Sequence, residues 1–240
     1  MKKLIYLLLT VLIVACSNDD NGGNNRSSCN GDNSVYLAAN GVTIKACDGA
    51  AVNSTGVIDG VTYTVVDRVL LRAMIENEED VTKVATTKIT NMFALFRRAS
   101  SFNQPIGNWD VSNVTHMSSM FKEANDFNQD ISSWDVSNVI TMSTMFEDAR
   151  NFNRPIGNWD VSNVTNCAHM FEGAIHFNQD ISSWDVSNVV AMISMFFVAR
   201  SFDQDLSSWD VDNVVNCSRF RNGAENWFKP KPIFTNCNPS

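Results

Sequence analysis

The chain has 240 residues, 44% hydrophobic and 18% charged, which is enough apolar material for one or two domains with a continuous core. Its formal net charge is −8, from 26 acidic and 18 basic side chains. That balance, with no basic patch, argues against nucleic acid as a partner.

Met1, Lys2 and Lys3 precede an apolar run from Leu4 to Ala15, broken only by Thr10 and closed by Cys16. A charged start and a short apolar core describe a signal peptide over residues 1–15, too short to cross a membrane as a helix. Ile13, Val14, Ala15 and Cys16 resemble a lipobox, which makes Cys16 the lipidated first residue of an exported lipoprotein. The alternative is an ordinary cleaved signal with an incidental cysteine. Removing residues 1–15 takes away two lysines and leaves 16 basic against 26 acidic side chains.

Residues 16–34 form the second segment. After Cys16 they read SNDDNGGNNRSSCNGDNS, which cannot bury enough apolar area to offset chain entropy and predicts a flexible tether. Asp19 and Asp20, shortly after Cys16, are similar to signals that send some lipoproteins to the outer face of an outer membrane. The predicted location is therefore the outer membrane, lipid-anchored, at the cell surface, with the membrane as a partner through the anchor.

Residues 35–76 are predicted to be a β-rich cap. Between 35 and 66, GVTIKACDGA and GVIDGVTYTVV alternate β-branched and small residues with glycine turns, giving a few short strands. Val69 to Ile75 reads as a helix. A separate module is the alternative to a cap.

From here a repeat governs the chain. Phe102, Phe127, Phe152, Phe177 and Phe202 each open a near-copy of one 25-residue unit, so residues 102–226 hold five units. Each unit carries a tryptophan (Trp109, Trp134, Trp159, Trp184, Trp209), then an aspartate (Asp110, Asp135, Asp160, Asp185, Asp210), then an Asn-Val pair such as Asn113 and Val114. The apolar positions are too spread for one amphipathic helix and too irregular for long strands, so each unit must coil. FNQPIGNWDVSNVT suits short extended segments and turns, whereas MSSMFKEA, apolar at i, i+3, i+4 and i+7, predicts one or two turns of helix. A lone coil cannot bury its Trp, Phe and Met; stacked coils align them into one core, which predicts an α/β repeat solenoid. Residues 77–101 keep only the second half of the pattern and read as a degenerate first repeat. Trp227 takes the Phe position after the fifth unit, and residues 227–240 read as a C-terminal cap. Blocks 102–151 and 152–201 resemble each other, so the array grew by duplicating pairs.

MFKEANDFNQDISSWDVSNV, from Met120 to Val139, resembles the BspA-like bacterial surface proteins with repeats of the form M-F-x-x-A-x-x-F-N-x-x-I-x-x-W-D-V-S-N-V-T. The resemblance covers residues 77–226, and GVIDGVTYTVVD with DVTKV is similar to the segment that often precedes such repeats. It implies a leucine-rich-repeat-like solenoid on a cell surface, with adhesion or host and matrix binding as the expected activity.

Six cysteines are present, and export permits disulfides among the five that are not lipidated. Cys167 and Cys217 share a column two coils apart, roughly 10 Å at about 5 Å per coil, too far to bridge. FTNC at Cys237 matches VTNC at Cys167 and VVNC at Cys217, so the tail is expected to lay one shortened coil that stacks Cys237 on Cys217. Cys29 with Cys47 is the remaining natural pair, and Cys167 is expected as a buried free thiol.

The Asp and Asn columns admit a calcium reading, but one Asp per coil is sparser in oxygen ligands than known calcium loops, and turn capping with an inter-coil amide ladder is favoured. His116, His169 and His176 share no repeat position and form no triad or zinc spacing. No phosphate loop, paired-carboxylate site or cofactor fingerprint occurs, so no enzyme, metal or cofactor is expected.

Positions that vary between coils should carry recognition: His116, Lys122, Glu123, Glu147, Asp148, His169, Glu172, His176, Phe197 and Val198. Of these, His116, Lys122, Glu147, His169, His176 and Phe197 are the candidate binding surface, and solvated surface is the plain reading of each. The leading functional expectation is a surface protein using many similar weak contacts for adhesion or for capture of an extracellular protein or glycan. A periplasm-facing envelope scaffold is one alternative. A carbohydrate-binding accessory protein is another, and requires an exposed Trp column.

Overall fold

The computed structural model describes Cys29 and residues 33–240. The signal segment, Cys16 and most of the tether lie outside the described residues.

The N-terminal part builds two small sheets. Strand β1 (Val35–Leu37) pairs antiparallel with β2 (Ile44–Ala46), with Val35 opposite Ala46. Strands β3 (Thr55–Ile58) and β4 (Val61–Val65) form a hairpin whose two-residue turn, Asp59-Gly60, sits at φ 49° and 79°. Two positive φ values give a loop twist that matches the flanking strands, and Gly60 adopts its value without a Cβ clash. Helix α1 (Arg68–Glu76) begins one residue earlier and ends one later than the apolar pattern suggests, because Asp67 caps it: its carboxylate accepts from the Leu70 amide at 2.8 Å. Strand β5 (Val84–Ala85) then pairs parallel to β4. This unit is joined to the repeats: the Ile44 amide donates to the Asn108 carbonyl at 2.8 Å, and Lys45 reaches the buried Asp110.

From residue 77 onward each 25-residue unit is one coil stacked on the next. Parallel bridges link Asn91 to His116, His116 to Thr141, Thr141 to Asn166, Asn166 to Ala191 and Ala191 to Asn216. Within a coil the backbone advances by short turns; in the first full unit the amides of Trp109, Val114, Met120 and Ala124 donate to the carbonyls of Ile106, Val111, Met117 and Phe121.

The segment expected to be helical is not a helix. In MSSMFKEA the amides of Met117, Ser119, Phe121 and Glu123 leave the coil and donate to Thr141, Ser143, Met145 and Glu147 of the next one. Ser119 and Glu123 take φ of 58° and 61°, which breaks a right-handed helix. The apolar spacing serves another end here. Successive turns aim Met117, Met120, Phe121 and Ala124 inward as helical turns would, while alternate amides stay free to bind the neighbour.

These inward residues make one continuous core from Val66 and Leu71 to Trp227. Like stacks on like: the Trp109 and Trp134 ring centroids lie 6.5 Å apart with planes 8° from parallel, and Phe121 sits 5.6 Å from Phe146 and 3.9 Å from Phe127. Offset stacking adds about 0.5–1.5 kcal/mol per aromatic pair beyond area burial. The tail closes the last coil. Trp227 packs edge-on against Phe202, the Pro230 carbonyl accepts from the Leu206 amide, and Cys237 is disulfide-bonded to Cys217, Cα atoms 5.8 Å apart. A second disulfide joins Cys29 to Cys47, and Cys167 is free and buried.

Candidate binding surface

The most regular polar columns are consumed by the stack. Asp135, Asp160 and Asp185 each accept, through one oxygen, the amide and the hydroxyl of the serine two residues on. By bonding the charged form, the Ser162 and Ser187 hydroxyls hold the Asp160 and Asp185 carboxyls below their usual range. Asn113, Asn138, Asn163, Asn188 and Asn213 each donate their side-chain N–H to a carbonyl of the preceding coil. Among the described residues no group of three or more His, Cys, Asp or Glu is placed to hold a metal ion.

The Trp column is buried, from 0% exposure at Trp109 to 5% at Trp209. Each indole N–H donates to a carbonyl 28 residues earlier, as Trp159 does to Ile131. These rings cannot stack on a sugar, so a carbohydrate reading that needs an exposed Trp column is overturned.

The candidate surface residues do not form one cluster. Lys122, Glu147 and Phe197 share a column, where Lys122 is bound by both carboxylate oxygens of Glu147 at 2.7 Å and Arg219 lies over the Phe197 ring at 5.5 Å. His169 occupies the adjoining positive-φ column at φ 59° and pairs with Glu172. His116 is exposed on the bridge edge, its Nδ1 2.9 Å from the Thr115 hydroxyl. His176 lies apart from all of these, in a groove on another edge of the coil.

That groove is open, about 800 Å³, and lined by Ser101, Asp126, Asn151 and His176 on one side and Asn103, Asn128 and Asn153 on the other. Between the two columns run Phe102, Phe127 and Phe152, whose rings turn into the core. The second column is built by a repeated bond: Asn103 Oδ1 accepts from the Asn128 amide at 3.0 Å, Asn128 Oδ1 from Asn153 at 3.1 Å, and Asn153 Oδ1 from Asn178 at 3.0 Å. Asn178 Oδ1 continues the column to the Asp203 amide. Variation between coils does not single out these asparagines, because they are the same in each of the first four full units. The signal was present in the Phe-Asn dipeptide that opens the first four full units.

A stack of near-identical coils with small caps at each end is the class of molecule this geometry defines. The family described as "Mycoplasma protein of unknown function, DUF285" matches residues 68–174 and 150–233. The chain belongs to that family. No curated protein and no solved structure matches it.

Proposed function

We propose that the chain is a surface-displayed lipoprotein whose leucine-rich-repeat-like solenoid binds an extracellular protein or glycan and does no chemistry of its own. In this reading residues 1–15 direct export, Cys16 carries the lipid that holds the chain in the outer membrane, and residues 16–34 let the array stand away from it. The observation that carries the reading is the contrast between columns. The inward Trp and Phe positions repeat coil after coil, while the outward column runs from Lys122 through Glu147 and Glu172 to Phe197, changing from basic to acidic to apolar. A stack of this kind offers many related contacts along one edge, which add through multivalency.

Cys16→Ala tests the anchor. The substituted chain should leave the membrane fraction and lose its labelled acyl chain. Retention of label at Cys16→Ala would show that lipid is not carried there.

A further inference from the structure

We infer that the groove between the Ser101 and Asn103 columns is a binding site for a linear, neutral polysaccharide lying along the stack axis. The inference rests on the ligand-binding reading above and names its ligand class.

A side-chain amide has one acceptor and two donor hydrogens. In Asn103, Asn128 and Asn153 the acceptor Oδ1 is committed to the backbone amide of the next coil, at 3.0–3.1 Å. In Asn103 and Asn153 that oxygen also receives Gln129 and Gln179, at 2.8 and 2.7 Å. With Oδ1 fixed, the amide plane is fixed, and Nδ2 is turned away from the ladder. Among the described residues no acceptor meets Nδ2 of Asn103, Asn128 or Asn153. The groove therefore presents a row of pre-oriented N–H donors, one per coil, whose ordering entropy is already spent on folding.

The opposite column supplies the complementary chemistry. Ser101 and Asp126 bring acceptor oxygens, Asn151 donates to Asp126 at 3.3 Å, and His176 closes the row. Donors facing acceptors across an open trough suit hydroxyl groups, which do both. Coils repeat at about 5 Å along the axis, close to the length of one sugar ring in an extended glycan chain. Successive rings thus meet successive asparagines in register, and the sum of weak contacts sets the affinity. Asp126 in the groove and the chain's net charge of −8 disfavour polyanions, including acidic glycans and nucleic acid.

The chain supplies its own test substitution. At the fifth position of the column Asp203 replaces asparagine, and its Oδ1 still accepts two amides, from Phe228 at 2.7 Å and Lys229 at 2.8 Å. Asp therefore keeps the structural half of the asparagine role and deletes the donor half. The full chain and the triple variant Asn103→Asp/Asn128→Asp/Asn153→Asp are titrated with hexasaccharides of β-1,3-glucan, β-1,4-glucan and β-1,4-mannan. The readouts are calorimetry and the side-chain amide signals in ¹H–¹⁵N spectra. At least one hexasaccharide should bind and move the asparagine amide signals, and the triple variant should bind about tenfold or more weakly while its circular dichroism shows the stack still folded. Absence of binding by all three sugars, or equal binding by the variant, overturns the inference. Selective binding of an extended peptide in place of the sugars also overturns it. None of these outcomes bears on whether the array is displayed, so the two readings fail separately.

Discussion

Trp134 donates its indole N–H to the carbonyl oxygen of Ile106 at 3.1 Å, so one side chain both fills the core of its own coil and satisfies the backbone of the coil before it. Trp134→Phe removes the donor and leaves the Ile106 carbonyl with the Trp109 amide as its remaining partner. Losing one of that carbonyl's two hydrogen bonds costs about 0.5–1.5 kcal/mol, and Trp134→Ala, which also opens a cavity, should cost about 3–5 kcal/mol. Urea denaturation followed by circular dichroism measures both. A Phe variant as stable as the parent would mean that the bond contributes nothing.

Gly107 and Gly157 mark close backbone approaches between coils. A Cβ placed there would lie 2.6 Å from the carbonyl oxygen of Asp130, and one on Gly157 would meet the Asp180 carbonyl oxygen in the same way. Backbone on one side and the packed core on the other leave little room to yield. Gly107→Ala and Gly157→Ala are each expected to destabilise by about 1–3 kcal/mol, although alanine normally stabilises an exposed turn. Thermal melts of the two variants check the sign.

Acid should loosen the array before neutral conditions trouble it. Asp130, Asp160, Asp180, Asp185 and Asp205 are held below the usual 3.8 by amide and hydroxyl bonds from the serine two residues on. Asp80 is lowered to about 2, chiefly by the Thr82 hydroxyl, then by the Thr82 amide and Lys83. A carboxyl whose pKa falls on folding contributes stability that is complete above its unfolded value and is lost as pH drops through its folded value. The melting temperature should therefore be flat above about pH 5 and fall progressively towards about pH 2. Ser162→Ala should raise the pKa of Asp160, read directly by NMR titration.

The two cysteine environments predict opposite chemistry. Burial pushes the Cys167 thiol up to about 12, so iodoacetamide should leave it unmodified in the folded chain and label it in denaturant. Cys217 and Cys237 close a loop between positions 20 apart, and Cys237→Ser should cost about 2–4 kcal/mol by freeing the tail from the last coil. Mass spectrometry of labelled digests and a melt of the serine variant read the two outcomes.

Spacing along the chain was informative wherever one residue answers to its equivalent 25 positions away. Phe127 and Phe152 could be set in one column from the sequence, and their centroids lie 5.9 Å apart. Spacing was misleading in MSSMFKEA, because a helix and a chain of turns place the same apolar residues inward. Only the destination of the Ser119 and Glu123 amides separates them, and that depends on the neighbouring coil. The candidate surface was harder to read for the same reason. Variation picked out Lys122 and Glu147, which bind each other, and passed over Asn103, Asn128 and Asn153, whose partnered Oδ1 and unpartnered Nδ2 become visible only once the coils are stacked.

Display of the array outside the cell is tested by protease treatment of intact cells, followed by blotting for the 33–240 region. Release or cleavage of the array while a periplasmic marker stays intact is the predicted result. Full protection until the outer membrane is opened would contradict the account and place the stack on the periplasmic side.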